Sequence, residues 1–478
     1  MNKNKQALTL TQYAMILVFG SIIVRLITLG LYPLMDTTEA RYGEMARLMF
    51  ETGDWITPMF DYNVPFWGKP PLFTWLSAAG FELLGVNEFA ARLPHLLVGC
   101  IVLALTWVLA AKERTKQEAW LATAIVASTT AFIVISGAVM TDTALTLGVT
   151  LSMVSFWLSW QKKSAIWGYL FFVGLSIGML AKGPLTLVLV GISLVAWLSQ
   201  EQRWKRTLTC LPWKGGIALF IAISLPWYLL AEWKTPGFLN YFIIGEHIKR
   251  FVVSGWEGDL YGSAHDEVRG MIWIFWFLAA LPWAPVLMYQ VGRFFKKGEE
   301  GIQTSGGYMG YLWCWMLSPM ILFTMAGNIL PSYVMPGLPA LGLLIAGYHS
   351  QHRLPEKVFK IGLITPVLLF IVALLLQFNL TGKEAEKGLL AEWQQQVEKE
   401  NSELVYIQKR PFSAQFYSEG EAEFNAMPLA EVLKNQTKTT FYVIEKSRLP
   451  KGFLWDKNRC ELRAESKRRQ LVLCQNSG

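Results

Sequence analysis

Eleven stretches of the chain are apolar for close to the roughly 17 to 25 residues that a bilayer crossing needs. They lie near 13–33, 89–111, 118–139, 143–160, 165–181, 184–199, 215–232, 270–291, 308–326, 332–349 and 358–378. The segments between them alternate in character. One set is basic and holds Lys112, Arg114 and Lys116, then Lys205 and Arg206, then Lys357, with Lys3 and Lys5 ahead of the first stretch. The other set carries both signs of charge and includes 35–75, the turns at Asp142 and Lys182, 232–269 and 327–331. An excess of Lys and Arg stays in the cytoplasm, so the second set is predicted to face outward and the N-terminus to face inward. No small-residue cleavage pattern follows the first stretch, which therefore reads as an uncleaved anchor. An odd number of spans puts the C-terminus outside. Hydropathy falls after about residue 379, where strand-like runs at 404–407, 440–444 and 470–473 alternate with helix-compatible segments such as 389–400. The expected architecture is an all-α polytopic membrane region over 1–378, with about eleven to thirteen spans, followed by a small α/β domain over 379–478 on the periplasmic side.

Composition agrees with this reading. Of 478 residues 53% are hydrophobic and only 16% charged, with 21 Trp, outside the range of soluble globular domains. The net charge of +8 resides in the short basic loops, where it sets topology, so nucleic acid is excluded as a partner. The five cysteines show no metal-ligand spacing. Cys460 and Cys474 fall in the outward domain, where thiols can oxidise, and either pair or stand independently.

The segment 35–75 is dense in charge and broken by Pro58, Pro65, Pro70 and Pro71, so it cannot form one amphipathic helix; it is predicted to be the floor of an active site with juxtamembrane helices across 34–88. The other conspicuous ionisable residues, Asp142, Lys182, Glu246, His247, Arg250 and His265, also fall at outward ends of spans. Arg25 lies well inside a span. A lipid or sugar transporter would also be polytopic and basic inside, but transporters concentrate charge and broken helices near the bilayer midplane.

The run MDTTEARYGEM with DWITPMFDYNVPFWGKPPLFTW, followed by VMTDTAL, LAKGPL, PGFLNYFIIGEHIKRF and NILPSYVMPGLPAL, resembles the GT-C glycosyltransferases of the protein mannosyltransferase and aminoarabinose (lipid A) transferase group across roughly the first 350 residues. The resemblance implies an inverting transferase of a bacterial inner membrane. It would move aminoarabinose or a related sugar from undecaprenyl phosphate, or another polyprenyl phosphate, to lipid A or another outer-leaflet acceptor, among membrane lipids. A protein O-mannosyltransferase-like enzyme with a hydroxyl acceptor is the alternative within the same group.

Such a reaction needs cations against the lipid phosphate, which is first bound and then expelled. The resemblance assigns Arg41, Lys69, Lys182 and Arg250 to that task, with Tyr333 placing a hydroxyl beside the phosphate. It also implies an acid in the first outward loop, directly before a Glu and two residues ahead of the Arg–Tyr pair. Thr38 occupies that position here. Asp36 is the first candidate and Glu39 the second, with helix capping as the competing role for Asp36. Asp142 is a third acid, at an outward turn. A divalent metal (Zn²⁺, or Mg²⁺ or Mn²⁺) is allowed by the resemblance with His247 as a ligand, but Gly68 stands where relatives carry the partner Glu.

Overall fold

The computed structural model describes residues 9–162, 164–201, 204–253, 256–262, 267–297, 307–351, 354–381, 385–396, 402–436, 438–450, 453–456 and 459–475. Lys3, Lys5 and His265 lie outside the described residues. Helices α1 (Leu10–Thr28), α2 (Thr38–Thr52), α3 (Leu72–Leu84), α4 (Glu88–Glu113), α5 (Lys116–Ala127), α6 (Thr130–Ile135), α7 (Asp142–Lys162), α8 (Ala165–Lys182) and α9 (Leu185–Glu201) run from the N-terminus. They are followed by α10 (Trp204–Cys210), α11 (Trp213–Lys234), a π-helix (Asn240–Lys249), α12 (Arg250–Val252), α13 (Met271–Ala279), α14 (Ala284–Lys297), α15 (Tyr308–Phe323), a 3₁₀ turn (Pro331–Gly337), α16 (Leu338–Gln351) and α17 (Ile364–Gln377).

Among the described residues six helices are long and apolar enough to cross a membrane, or seven if α13 and α14 make one bent span. The chain is a multi-pass membrane protein. The remaining apolar stretches are helical but shorter or broken. The run at 118–139 parts at Ser128 and Thr129, whose hydroxyls turn back onto the carbonyls of Ala124 and Val126. The run at 270–291 bends by 104° around Pro282, and Pro331 and Pro336 hold the start of the run at 332–349 in a 3₁₀ turn. Arg25 is buried against Thr28, Tyr32 and the Val134 carbonyl, at 3.3, 3.1 and 2.9 Å, so the charge inside a span ties α1 to α6.

Helix α7 has no lipid-facing side: its whole apolar window is buried. Two of its hydroxyls bond to carbonyls one turn back, Thr146 to Asp142 and Ser152 to Gly148, both at 2.8 Å. A Cβ added at Gly148 would stand 2.6 Å from the Gly178 nitrogen of α8 and 2.8 Å from the Gly174 oxygen. These glycines let α7 and α8 meet backbone to backbone, the small-residue packing of membrane helices.

The outward segment before α4 holds α2, α3 and a hairpin of β1 (Met59–Asp61) and β2 (Val64–Pro65). The C-terminal domain contains α18 (Lys387–Gln394), α19 (Phe412–Tyr417), α20 (Leu429–Lys434) and five strands, β3 (Glu403–Ile407), β4 (Ala422–Asn425), β5 (Thr440–Glu445), β6 (Cys460–Glu465) and β7 (Arg469–Cys474). Their order is β4-β3-β5-β7-β6, parallel on both sides of β3 and antiparallel around β7. The three central strands are the ones that the apolar runs predict. Strands β4 and β6 are edges with mostly exposed or half-buried side chains, so they leave no apolar run to read. Cys460 and Cys474 face each other across β6 and β7 and form a disulfide.

Candidate active site

The predicted outward segments converge on one cavity of about 220 Å³. Helix α2 contributes Arg41 and Tyr42, the loop before α3 contributes Phe66, Gly68 and Lys69, and Asp142 opens α7 while Lys182 closes α8. Glu246 and Arg250 reach in from the π-helix and α12, Asp259 and Tyr261 from the loop beyond, Tyr333 from the 3₁₀ turn, and Phe412 from the C-terminal domain. Four basic side chains therefore face three carboxylates in an otherwise apolar chain.

Two clusters hold these charges. In the first, Lys182 Nζ donates to Asp142 Oδ1 at 2.8 Å and lies 4.1 Å from the centre of the Tyr333 ring, with both partners of the pair almost fully buried. Gly183, at φ +72°, makes the turn that stops α8 at this lysine. In the second cluster, Glu246 accepts from Lys69 at 2.7 Å and from Arg250 at 3.1 Å, and Arg250 also meets Asp259 at 3.2 Å. Lys69 is fixed further by the Gly68 carbonyl, 2.6 Å away. Asn328 donates to the Arg250 carbonyl at 2.7 Å and so ties α12 to the chain before the 3₁₀ turn. A smaller chamber of about 100 Å³ adjoins the cavity; it shares Lys69, Lys182, Glu246, Arg250 and Tyr333 but is walled by Leu185, Phe251 and Phe323. The cations thus stand where the cavity passes into a chamber that adds Leu185, Phe251 and Phe323 to the lining.

The candidates of the first outward loop divide. Arg41 and Lys69 line the cavity; Asp36 and Glu39 do not. Asp36 does not cap α2, whose start has no side-chain cap, and instead accepts from the backbone N of Ser413 at 3.1 Å and from the Ser413 hydroxyl. Burial pushes its carboxyl up. Glu39 is clamped by Arg92 through two 2.7 Å bonds, and Arg92 is fully buried. Both acids lie outside the cavity lining: Asp36 bonds to Ser413 of the C-terminal domain and Glu39 joins α2 to α4. Much of the remaining charge in the segment is also internal, since Arg47 holds Glu44 through two 2.7 Å bonds, Asp54 meets Lys234 at 2.6 Å and Asp61 meets Arg410.

His247 lies at the chamber wall with Nδ1 2.8 Å from the Phe242 carbonyl and Nε2 3.2 Å from that of Lys182. Each ring nitrogen faces a backbone carbonyl, and the neutral imidazole donates its one N–H to one of the two. A Cβ at Gly68 would stand 2.7 Å from the Phe66 ring, and among the described residues no group of three or more His, Cys, Asp or Glu is placed to hold a metal. The residues present do not fit the divalent cation that the resemblance allows. Glu246, Asp259 and Tyr261 had no assigned role in the sequence reading; Glu246 was visible as an acid one helical turn from Arg250, while Asp259 lies in an irregular loop that gives no spacing signal.

Burial pushes the Glu246 carboxyl up, but Lys69 and Arg250 outweigh it and hold the group below its ordinary 4.5. Burial pushes the His247 imidazole below its ordinary 6.5. A group depressed on folding gives stability that is complete above its ordinary value and lost as pH falls through the folded one. Unfolding midpoints measured from neutral pH downward are expected to fall first below 6.5, from His247, and again below 4.5, from Glu246. His247→Gln should remove the first step, and its persistence in that variant would show that another group is responsible.

A family model described as dolichyl-phosphate-mannose-protein mannosyltransferase matches residues 8–242. The undecaprenyl phosphate-alpha-4-amino-4-deoxy-L-arabinose arabinosyl transferases of Erwinia tasmaniensis and Edwardsiella ictaluri are 30% and 32% identical over 70% and 66% of this chain. Over these stretches the chain is similar to the protein mannosyltransferases and the aminoarabinose transferases. It spans 59% and 55% of the length of those two relatives. In fold it is similar to ArnT from Cupriavidus metallidurans bound to undecaprenyl phosphate, with a TM-score of 0.78 at 17% identity, covering 98% of this chain and 99% of that one. The archaeal oligosaccharyltransferase AglB from Archaeoglobus fulgidus shares the architecture at a TM-score of 0.51 and 11% identity, over 91% of this chain and 69% of that one. With six helices, or seven if α13 and α14 make one span, long and apolar enough to cross a membrane among the described residues, the chain is a multi-pass membrane protein whose fold is similar to that of ArnT.

Proposed function

We propose that this protein transfers a sugar, aminoarabinose or a related one, from a polyprenyl phosphate of the undecaprenyl class to lipid A or another acceptor of the outer leaflet. The observation that carries the reading is the row of Lys69, Lys182 and Arg250 between the cavity and a chamber walled by Leu185, Phe251 and Phe323. A lipid phosphate has this shape: an anion at the end of an apolar chain. The distribution of basic loops supports a periplasmic cavity and a cytoplasmic N-terminus. The disulfide in the C-terminal domain suits that oxidising side.

In the reaction the acceptor oxygen attacks the anomeric carbon, the bond from that carbon to the phosphate oxygen breaks, and its electron pair leaves on the phosphate. The configuration inverts. Lys69, Lys182 and Arg250 balance the charge that develops on the leaving phosphate. A phosphate acceptor is already anionic and needs no base. For a hydroxyl acceptor, Asp142 is the carboxylate at the cavity wall, with Oδ1 on Lys182 and Oδ2 beside Thr141.

Purified protein incubated with labelled polyprenyl-phosphate sugar and lipid A is expected to yield covalently labelled lipid A; movement of lipid with no covalent product would leave a transporter. Asp36→Asn is expected to keep the rate within about twofold, because asparagine can take the place of the carboxylate opposite Ser413 outside the cavity. A folded Asp36→Asn protein without transfer would return Asp36 to the reaction.

A further inference from the structure

We infer that Arg41 and Phe412 form an acceptor subsite for an anionic group, so that the C-terminal domain completes the transfer site. The inference rests on the transferase reading above and adds to it the chemistry of the acceptor.

Arg41 differs from the other three cations of the cavity in position and in pairing. Lys69, Lys182 and Arg250 border both the cavity and the apolar chamber; Arg41 borders the cavity alone, on the wall that includes Phe412. Each of those three has a carboxylate within 3.2 Å. Among the described residues Arg41 has none: Nη1 donates to the Tyr261 carbonyl at 2.8 Å, and Nε is buried with no partner. The guanidinium lies 5.1 Å from the centre of the Tyr42 ring and 5.9 Å from that of Phe412, within range of cation–π attraction to both. A guanidinium with no carboxylate beside it is stabilised when an oxyanion reaches it. A phosphate or similar group can accept charge-assisted N–H bonds from the face of Arg41 that lines the cavity. With the donor phosphate held where its chain can enter the apolar chamber, Arg41 remains for a second anion.

Phe412 lies between residues that bond to the first loop. It is the first residue of α19, and its neighbour Ser413 bonds to Asp36 through its backbone N, at 3.1 Å, and through its hydroxyl. Two residues earlier Arg410 pairs with Asp61, and three residues later Gln415 donates to Asp61 at 3.0 Å. The fastenings on both sides of Phe412 fix its ring over the guanidinium.

The test uses the full-length protein, labelled polyprenyl-phosphate sugar, and two lipid acceptors, lipid A and its dephosphorylated form, with polyprenyl phosphate as product inhibitor. Wild-type protein is expected to use lipid A and to discriminate against the dephosphorylated form. Arg41→Gln should raise the KM for lipid A by about tenfold or more while the Ki of polyprenyl phosphate stays within about twofold, and Arg41→Lys should recover part of the loss. Phe412→Ala should raise the same KM by a few fold, with the unchanged Ki reporting an intact donor side. Lys69→Gln should show the opposite split. The subsite is refuted if Arg41→Gln weakens polyprenyl phosphate as much as Lys69→Gln does, or if wild-type protein uses both acceptors equally. Absence of transfer by wild-type protein to either acceptor, with polyprenyl phosphate still bound, removes the transferase reading itself.

Discussion

Replacing Lys69 by glutamine is expected to lower transfer by roughly 100- to 1,000-fold, the range seen when one preorganised donor to a developing oxyanion is removed. The residue has two partners whose positions depend on it, Glu246 at 2.7 Å and the Gly68 carbonyl at 2.6 Å, and Pro70 and Pro71 stiffen the chain that presents it. Without the ammonium, Glu246 is left with Arg250 as its remaining cation, and the cavity then holds three basic groups against three acidic ones. The excess of positive charge that draws in a phosphate is gone. Because the donor's charge grows as its bond to the sugar breaks, kcat should fall along with donor affinity. Initial rates over a range of donor concentration check this; a loss smaller than about tenfold would show that Lys69 does not balance charge on the leaving phosphate.

Glu39→Gln is expected to act in the other currency, lowering stability by about 3 to 5 kcal/mol, as breaking one side of a buried ion pair does. Arg92 is fully buried; apart from Glu39 its guanidinium rests on the carbonyls of Leu29, Tyr32 and Pro33 at 2.6, 2.7 and 3.0 Å. Those carbonyls satisfy its N–H groups and not its charge. Glutamine keeps the size of the side chain and removes the compensating anion. Burial pushes the Glu39 carboxyl up, but Arg92 outweighs it and leaves the group ionised below the usual carboxylate range. Thermal unfolding in detergent, together with the yield of monodisperse protein, reads the effect. A Glu39→Gln protein of normal stability and no activity would restore Glu39 as a group of the reaction.

The two acids show where sequence reading stops. Which segments share one side of the spans was legible from the alternation of the loops, and the cavity collects residues from each of the five segments. The resemblance to the family was legible because its motifs hold residues at fixed places along the chain. Which way a side chain points within a motif was not. Asp36 and Glu39 lie within six residues of Arg41, yet α2 turns Arg41 into the cavity, Glu39 toward α4 and leaves Asp36 at the domain boundary. That outcome depends on Ser413 and Arg92, which lie 377 and 53 residues away in sequence. Phe412 was invisible for the same reason: the resemblance ends near residue 350, and nothing in the run KRPFSAQF marks a residue that closes a distant cavity. The bent and broken spans were hidden differently. Apolar periodicity measures length, whereas the Ser128–Thr129 break and the turn at Pro282 depend on local hydroxyl and proline chemistry inside an unbroken apolar run.

The glycine seam between α7 and α8 gives the site a second address. Asp142 and Lys182 meet at 2.8 Å because they cap two helices whose backbones touch at Gly148, Gly174 and Gly178, one to two turns into the membrane region. The separation of the helices there is a gauge for the ion pair above it. A methyl group added at Gly178 would meet Thr186 at 2.2 Å and one at Gly174 would meet Ser152 at 2.5 Å, so either would wedge α8 away from its neighbours. Variation confined to the cavity announces itself as a change of charge. Variation in the seam would change no charged group, and the spacing of the cavity's most buried pair would drift all the same.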